Sequence, residues 1–297
     1  MSLSSASLSA LLAALLGPAL PLALQDAPDP RPAQAGEPAL PKSGVDLTFM
    51  ANAGFFLQSA DHSILIDCFL RQSTNVFAAL PTEVYKNLVN ARPPFDGPIF
   101  VFVSHNHPDH VQMRSLEKFL VNNEKARLAA SPQVVSALRG EAKEFPSFAE
   151  RVASIPTRAG VAREFVQDDL HVTVMELKHV GAEDSELVNF GHLITMGGMK
   201  ILHVGDASPT SENFAAFDFA SEKLDVLLFP YWYLGTEEGR KILEKQIPAR
   251  YQIACHVPEK EWENVNTLIH EKFPSMILFK ESLEKRSFLP AEPGASK

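Results

Sequence analysis

Residues 98–104 read PIFVFVS, and the next six residues are His105, Asn106, His107, Pro108, Asp109 and His110. The apolar run reads as a strand buried on both faces, because a half-exposed strand would alternate apolar with polar residues. Three imidazoles and a carboxylate at the end of such a strand belong to a sheet edge that opens on one concavity. His105 and His107 are two apart, leave extended backbone on the same side and can grip one ion. Asp109 and His110, past the turn at Pro108, can reach a second. Nitrogen donors with a carboxylate oxygen are a set that zinc prefers. The plain alternative is a polar turn with incidental histidines, but four such groups crowded at the end of an apolar strand are costly to keep without a use.

Further candidate ligands stand at the ends of later strands. Strand-like runs are expected at 170–177, 187–196, 200–204, 225–229, 251–254 and 276–279, with Gly197 and Gly198 turning the chain between the second and third. His179 follows the first of these runs in LKHVG, Asp206 follows the third in HVGDAS, and His256 follows the fifth in ACHVP. Each lies just past the carboxyl end of its strand, the edge where open α/β sheets build their sites. A hairpin is expected from 45–56 and 62–66. Helices are expected at 82–90 with Thr82 as N-cap, at 112–122, and at 132–138 with Ser131 as N-cap, Pro132 at the first position and Gly140 at the C-terminal cap. Two more are expected at 237–245 and 260–272. This alternation of strands and helices defines an α/β layered class.

Composition narrows the partners. The chain has 297 residues, 45% of them hydrophobic, with 27 Lys+Arg against 36 Asp+Glu, a formal charge of −9, and two cysteines. That is too apolar for a disordered chain and too poor in cysteine for a disulfide scaffold. With no basic block, a phosphate-backbone partner is disfavoured and no nucleic acid is expected; a small-molecule substrate fits the charge. Residues 1–24 carry no charged side chain and are broken by Gly17, Pro18 and Pro21, which suits a signal peptide and is too short an apolar run for a spanning helix. No stable membrane anchor is expected, and the location implied is exported, periplasmic or extracellular, rather than cytoplasmic. Residues 25–43, with Pro28, Pro30, Pro32, Pro38 and Pro41, read as a Pro-rich linker ahead of one domain at 44–297.

The order HNHPDH, a His after a strand, GDA, then a strand-end His resembles the metallo-β-lactamase-fold superfamily over about residues 45–279. The opening ANAGFFLQSADHSILID resembles the start of its uncharacterised zinc-hydrolase branch related to the ascorbate-phosphate lactonases. The resemblance implies a four-layer αβ/βα sandwich with a dinuclear site. His105, His107 and His179 would hold the first metal, Asp109, His110 and His256 the second, and Asp206 would bridge. Asp67 matches the family's first motif, an aspartate that buttresses the ligand loop. Departures bear on substrate. Zinc β-lactamases carry a cysteine where this chain has Asp206, which disfavours antibiotic hydrolysis. About 50 residues separate Asp206 from His256, too few for the inserted domain of the nuclease branch. Diiron flavoproteins of the fold put an acid where His107 stands.

The expected activity is a metal-dependent hydrolase with two zinc ions, manganese or iron also suiting the donors. A shared metal-bound hydroxide would cleave a small ester-like, lactone or phosphodiester substrate, with Asp206 and Asp109 placing and orienting the nucleophile. The alternatives are an iron-dependent oxidoreductase on the same ligands and a noncatalytic binding module supported by metal. His203 reads either as a group beneath the ligands or in contact with substrate, or as a satisfied core histidine. Tyr231, Trp232 and Tyr233 follow a strand at the same edge and read either as a wall of the substrate pocket or as loop packing. His192 reads as structural, and His62, His171 and His270 as surface or hairpin residues. Cys68 and Cys255 flank the site residues; buried free thiols are the default reading, with pairing left open.

Overall fold

The computed structural model describes residues 43–72, 76–167, 170–181 and 186–291. The signal peptide and nearly all of the linker expected at the N-terminus lie outside these residues. Two seven-stranded sheets form the framework. The first contains β1 (Val45–Ala51), β2 (Gly54–Gln58), β3 (Ser63–Ile66), β4 (Phe100–Phe102), β5 (Arg127–Ala130) and β6 (Val152–Ser154). The second contains β7 (Arg163–Gln167), β8 (Leu170–Leu177), β9 (Asn189–Met196), β10 (Met199–His203), β11 (Leu224–Pro230), β12 (Ala249–Cys255) and β13 (Ile277–Leu278). The last strand, β14 (Lys285–Phe288), returns to pair antiparallel with β1, so the first sheet runs β14-β1-β2-β3-β4-β5-β6 and the second β13-β12-β11-β10-β9-β8-β7.

Side-chain alternation along the strands produces the layers. Phe55, Leu57 and Phe102 from the first sheet meet Val172, Val174, Val226 and Leu228 from the second in a shared core. Phe56, Val101 and Val103 point the other way and pack under α1 (Thr82–Val89), α2 (Met113–Asn122), α3 (Pro132–Glu141) and the short α4 (Phe145–Phe148). Met175, Leu177, Leu227 and Phe229 face outward from the second sheet and join α5 (Ser211–Phe214), α6 (Glu237–Lys245) and α7 (Trp262–Lys272) in a third cluster. The result is helix, sheet, sheet, helix. Because both faces of β4 and of β11 from Val226 onward are covered, their sequences there, FVF and VLLFP, are apolar without alternation.

Several local expectations are corrected. Residues 45–56 do not form one strand: the chain turns at Asn52 and Ala53, and β1 pairs antiparallel with β2, which in turn pairs with β3. Thr82 is the first residue of α1 rather than its cap, a place taken by Pro81. Gly140 lies inside α3, which ends at Glu141 and is followed by Ala142; Ser131 does cap it, accepting from the Val134 N–H. Gly197 and Gly198 turn the chain as expected, at φ of 56° and 76°. That two-residue turn sets the register Met196↔Met199. The strands β5, β6, β7 and β14 and the helices α4 and α5 were not expected from the pattern. Among the described residues no helix is long and apolar enough to cross a membrane.

Candidate metal centre

Strand ends of both sheets deliver the expected residues to one place. His105 to His110 leave the end of β4, His179 follows β8, Asp206 follows β10 and His256 follows β12. Backbone bonds tie these loops together. The Val180 N–H donates to the Asp206 carbonyl at 2.9 Å, and the Ser208 N–H to the Lys178 carbonyl at 2.7 Å, so the His179 and Asp206 loops run side by side. The Phe190 N–H donates to the Ser104 carbonyl at 2.8 Å, joining the two sheets beneath the histidine loop. Gly205 has φ of +56°, and a Cβ there would lie 2.3 Å from Asn189 Oδ1 and 2.8 Å from Ser104 Cβ. Only glycine lets the backbone come this close ahead of Asp206.

Two donor groups result. His105, His107, His179 and Asp206 each offer an atom within 4.8 Å of the others, and so do Asp109, His110 and His256. Asp206 reaches both. Its Oδ1 is 3.2 Å from His110 Nε2, while its Oδ2 is 3.2 Å from His256 Nε2, 3.6 Å from His179 Nε2 and 3.9 Å from His105 Nε2. Asp109 Oδ2 stands 3.1 Å from His256 Nε2. Except for His107 and Asp109, which are partly exposed, all of these side chains are buried.

The far nitrogens of three rings are held by acceptors. Asp67 Oδ1 accepts from the Ser104 N–H at 2.8 Å, and its Oδ2 accepts from Ser104 Oγ at 2.6 Å and faces His110 Nδ1 at 2.9 Å. Since the Ser104 hydroxyl is spent on Asp67, it accepts from His105 Nδ1, 2.9 Å away. His179 Nδ1 donates to the Val180 carbonyl at 2.7 Å. In each ring this leaves Nε2 turned inward, with a lone pair to offer when the ring is neutral, the arrangement of a metal-binding histidine with its orienting partner. His105 Nε2 faces His107 Nδ1 at 3.0 Å and His110 Nε2 faces His256 Nε2 at 3.0 Å. Among the described residues, buried His179 Nε2 and Asp206 Oδ1 have no hydrogen-bond partner.

The electrostatics agree with this donor geometry. Burial raises the Asp206 carboxyl, but His110 and His256 outweigh it and hold its pKa well below the usual range. Burial also opposes ionisation of Asp67 and Asp109, and the neighbouring histidines again hold both below their ordinary values. Burial pushes His105 well down, whereas for His110 the charges of Asp206 and Asp67 overcome burial and push it well up. Among the described residues, the only cationic partners of these three carboxylates are histidines. Two buried carboxylates, Asp67 and Asp206, and the partly exposed Asp109, ringed by imidazoles and without Lys or Arg beside them among the described residues, fit bound divalent cations.

Other candidates divide between the site and the core. His203 does not contact the open side of the site. Its Nδ1 accepts from the Gly205 N–H at 3.2 Å and its Nε2 donates to the Ala53 carbonyl at 3.0 Å, pinning two loops beneath the ligands. Trp232 is at the edge, its ring 5.0 Å from that of His256, with Tyr231 6.0 Å beyond it. Tyr233 turns into the core instead and donates to the Ala207 carbonyl at 2.9 Å. His192 is fully buried between Phe102 and Phe190, and His171 and His270 are exposed. Cys68 and Cys255 are buried free thiols that donate to backbone carbonyls.

Sequence reasoning missed Ser104, Asn52, Asn189 and Phe77. Phe77 sits 4.2 Å from the His256 ring. Asn189 accepts from the Asp206 N–H at 3.0 Å and donates to the carbonyls of Leu177 and Val204. For Asn52 the signal was present: Asn followed by Ala-Gly between two apolar runs marks a turn that admits positive φ. A cavity of about 380 Å³ borders His256 and Asn52 and has an apolar lining that includes Met50, Trp262 and Phe279.

A two-sheet sandwich that gathers five histidines and two aspartates at one edge defines a class of metal-binding α/β proteins. The profile of the β-lactamase superfamily domain matches residues 62–253, and the chain belongs to the metallo-β-lactamase superfamily. No curated protein sequence matches it. Among solved structures it is similar to Igni18, a metallo hydrolase from the archaeon Ignicoccus hospitalis, at 17% identity and a TM-score of 0.56 over 83% of this chain and 99% of that one. It is similar to an isothiocyanate hydrolase from Delia radicum gut bacteria, at 16% identity and 0.56 over 82% and 99%. It is also similar to CmlA, a diiron β-hydroxylase from Streptomyces venezuelae, at 12% identity and 0.54 over 83% of this chain and 54% of that one. These likenesses establish the shared fold.

Proposed function

We propose that this protein is a dinuclear metal-dependent hydrolase of a small ester-like, lactone or phosphodiester substrate. His105, His107 and His179 would hold one divalent cation, Asp109, His110 and His256 the other, and Asp206 would serve both. The observation that carries the reading is Asp206, whose two oxygens reach into both donor groups. Zinc suits this all-nitrogen-and-oxygen set best. When bound, such ions supply Lewis acidity and a water made acidic enough to act as a nucleophile near neutral pH. The chain's own residues would orient the reaction: Asp206 and Asp109 offer carboxylate oxygens that would accept a hydrogen bond from an attacking water, and Trp232 and Phe77 pack beside His256, where they would keep out bulk solvent. A cavity of about 380 Å³ bordering His256 suits a small molecule. The hydrolase relatives of this fold, Igni18 and the isothiocyanate hydrolase, add support. Export, which the uncharged apolar residues 1–24 suit, belongs to the same reading.

A panel of lactones, carboxylic esters and phosphodiesters tests it. Turnover of at least one member, abolished in Asp206→Asn, is expected; no turnover with a metal-loaded protein favours a binding module. A second reading, an iron oxidoreductase, draws on the absence of thiolate from the donor set and on the similarity to CmlA. A coloured iron protein with oxygen-dependent turnover would support it, and a colourless zinc protein would exclude it.

A further inference from the structure

We infer that Asn52 is a positioning residue for the second cation alone, so that occupancy of that site depends on the turn between β1 and β2. This rests on the dinuclear reading above. Asn52 is buried and adopts a left-handed φ of 53°. Its side-chain Nδ2 donates to the Asp109 carbonyl at 2.8 Å and approaches Asp109 Oδ2 at 3.4 Å. Its own carbonyl accepts from the His256 N–H at 3.1 Å. One residue thus holds two of the three donors of the second group, which lie 57 and 204 positions away in the chain (109 − 52 and 256 − 52). Among the described residues, none outside the candidate ligands bonds to both.

Both donors need such a hold. Asp109 lies in the turn after Pro108, with no strand or helix to fix its carboxylate. His256 follows the end of β12 at φ of 59°, a conformation that a non-glycine residue keeps only when its surroundings impose it. The first group is secured differently. Ser104 orients His105, Val180 orients His179, and neither contact involves Asn52. Asp67 supports one ring in each group, His110 directly and His105 through Ser104, but the β1–β2 turn reaches only the second, through Asp109 and His256.

Two variants separate the amide from the turn. Asn52→Gly accepts the left-handed backbone and keeps the carbonyl that meets His256, but deletes the bond to Asp109. Asn52→Asp keeps the shape and sets a carboxylate, with no N–H to give, against Asp109. Metal-free wild type and both variants would be titrated with Zn2+ against a chromophoric chelator, and folding followed by thermal unfolding. Wild type is expected to take two ions. Both variants should keep the first ion's affinity and weaken the second by about 10- to 100-fold, the usual effect of losing a ligand's supporting bond. A variant that binds the second ion as wild type does, or loses both ions together, overturns the role of Asn52. A folded wild type that takes fewer than two ions overturns instead the dinuclear reading on which it rests.

Discussion

Asp67 Oδ2 and His110 Nδ1 stand 2.9 Å apart, both fully buried, and this contact joins the end of β3 to the ligand loop 43 residues later. The same carboxylate holds Ser104 by its N–H and its hydroxyl, and Ser104 in turn orients His105. One aspartate thus sets the ring orientation of a candidate ligand in each donor group. Asp67→Asn keeps the size but cannot accept all three bonds. It should cost about 3 kcal/mol of folding stability, the effect of breaking a buried ion pair. Urea denaturation of the metal-free protein would measure it, and Zn2+ titration should show both affinities reduced.

Gly205→Ala tests the close approach ahead of Asp206. The new methyl would meet Asn189 Oδ1 at 2.3 Å and the residue sits at φ of +56°. Destabilisation of more than about 1 kcal/mol is expected from the backbone conformation alone. Because Asn189 holds the Asp206 N–H, metal binding should weaken along with stability, as read by unfolding and by Zn2+ titration on one preparation.

His192 predicts an acid dependence unrelated to ligation. Burial moves it from an ordinary 6.5 to about 3, and neither ring nitrogen has a hydrogen-bond partner among the described residues. The unfolded chain takes up a proton below 6.5 that the fold refuses until about 3. The stability from the neutral ring is therefore complete above 6.5 and falls across that window, by about 1.4 kcal/mol per pH unit. His192→Leu removes the proton without removing a hydrogen bond. Denaturant midpoints from pH 7 to 4 should decline less steeply in the variant; parallel curves would contradict the assignment.

Trp232→Ala should open the wall beside His256 while leaving the donors in place. On whichever panel substrate is turned over, KM should rise more than kcat falls, with metal content unchanged. Loss of metal instead would assign Trp232 to holding the His256 loop.

The candidate ligands were legible as a cluster because their chemistry is dense and each follows a strand-like run: His105 to His110 after PIFVFVS, Asp206 after KILHV, His256 after YQIA. The supporting residues were not. Ser104 and Asn189 are common polar types, and what marks them is a partner 37 or 17 positions away that only the assembled sheets bring near. Short edge elements escaped for a related reason. Lys285–Phe288 reads KRSF, with three exposed residues, and is a strand because β1 offers a free edge to pair with. The 45–56 run carried its turn signal in Asn52-Ala53-Gly54, but the apolar runs on both sides read together as one strand, and the left-handed φ at Asn52 is what reverses the chain. Sequence left Tyr233 open between pocket wall and loop packing, and the 3-10 turn, which sends consecutive side chains in different directions, turns it into the core.

The central claim is that two cations share Asp206. Protein purified without added metal, then reconstituted and dialysed, would be analysed for every transition metal together with its Asp206→Asn variant. Two equivalents per chain in the wild type, and loss of at least one in the variant, is the result this account predicts. Well under one equivalent in the reconstituted wild type would contradict it.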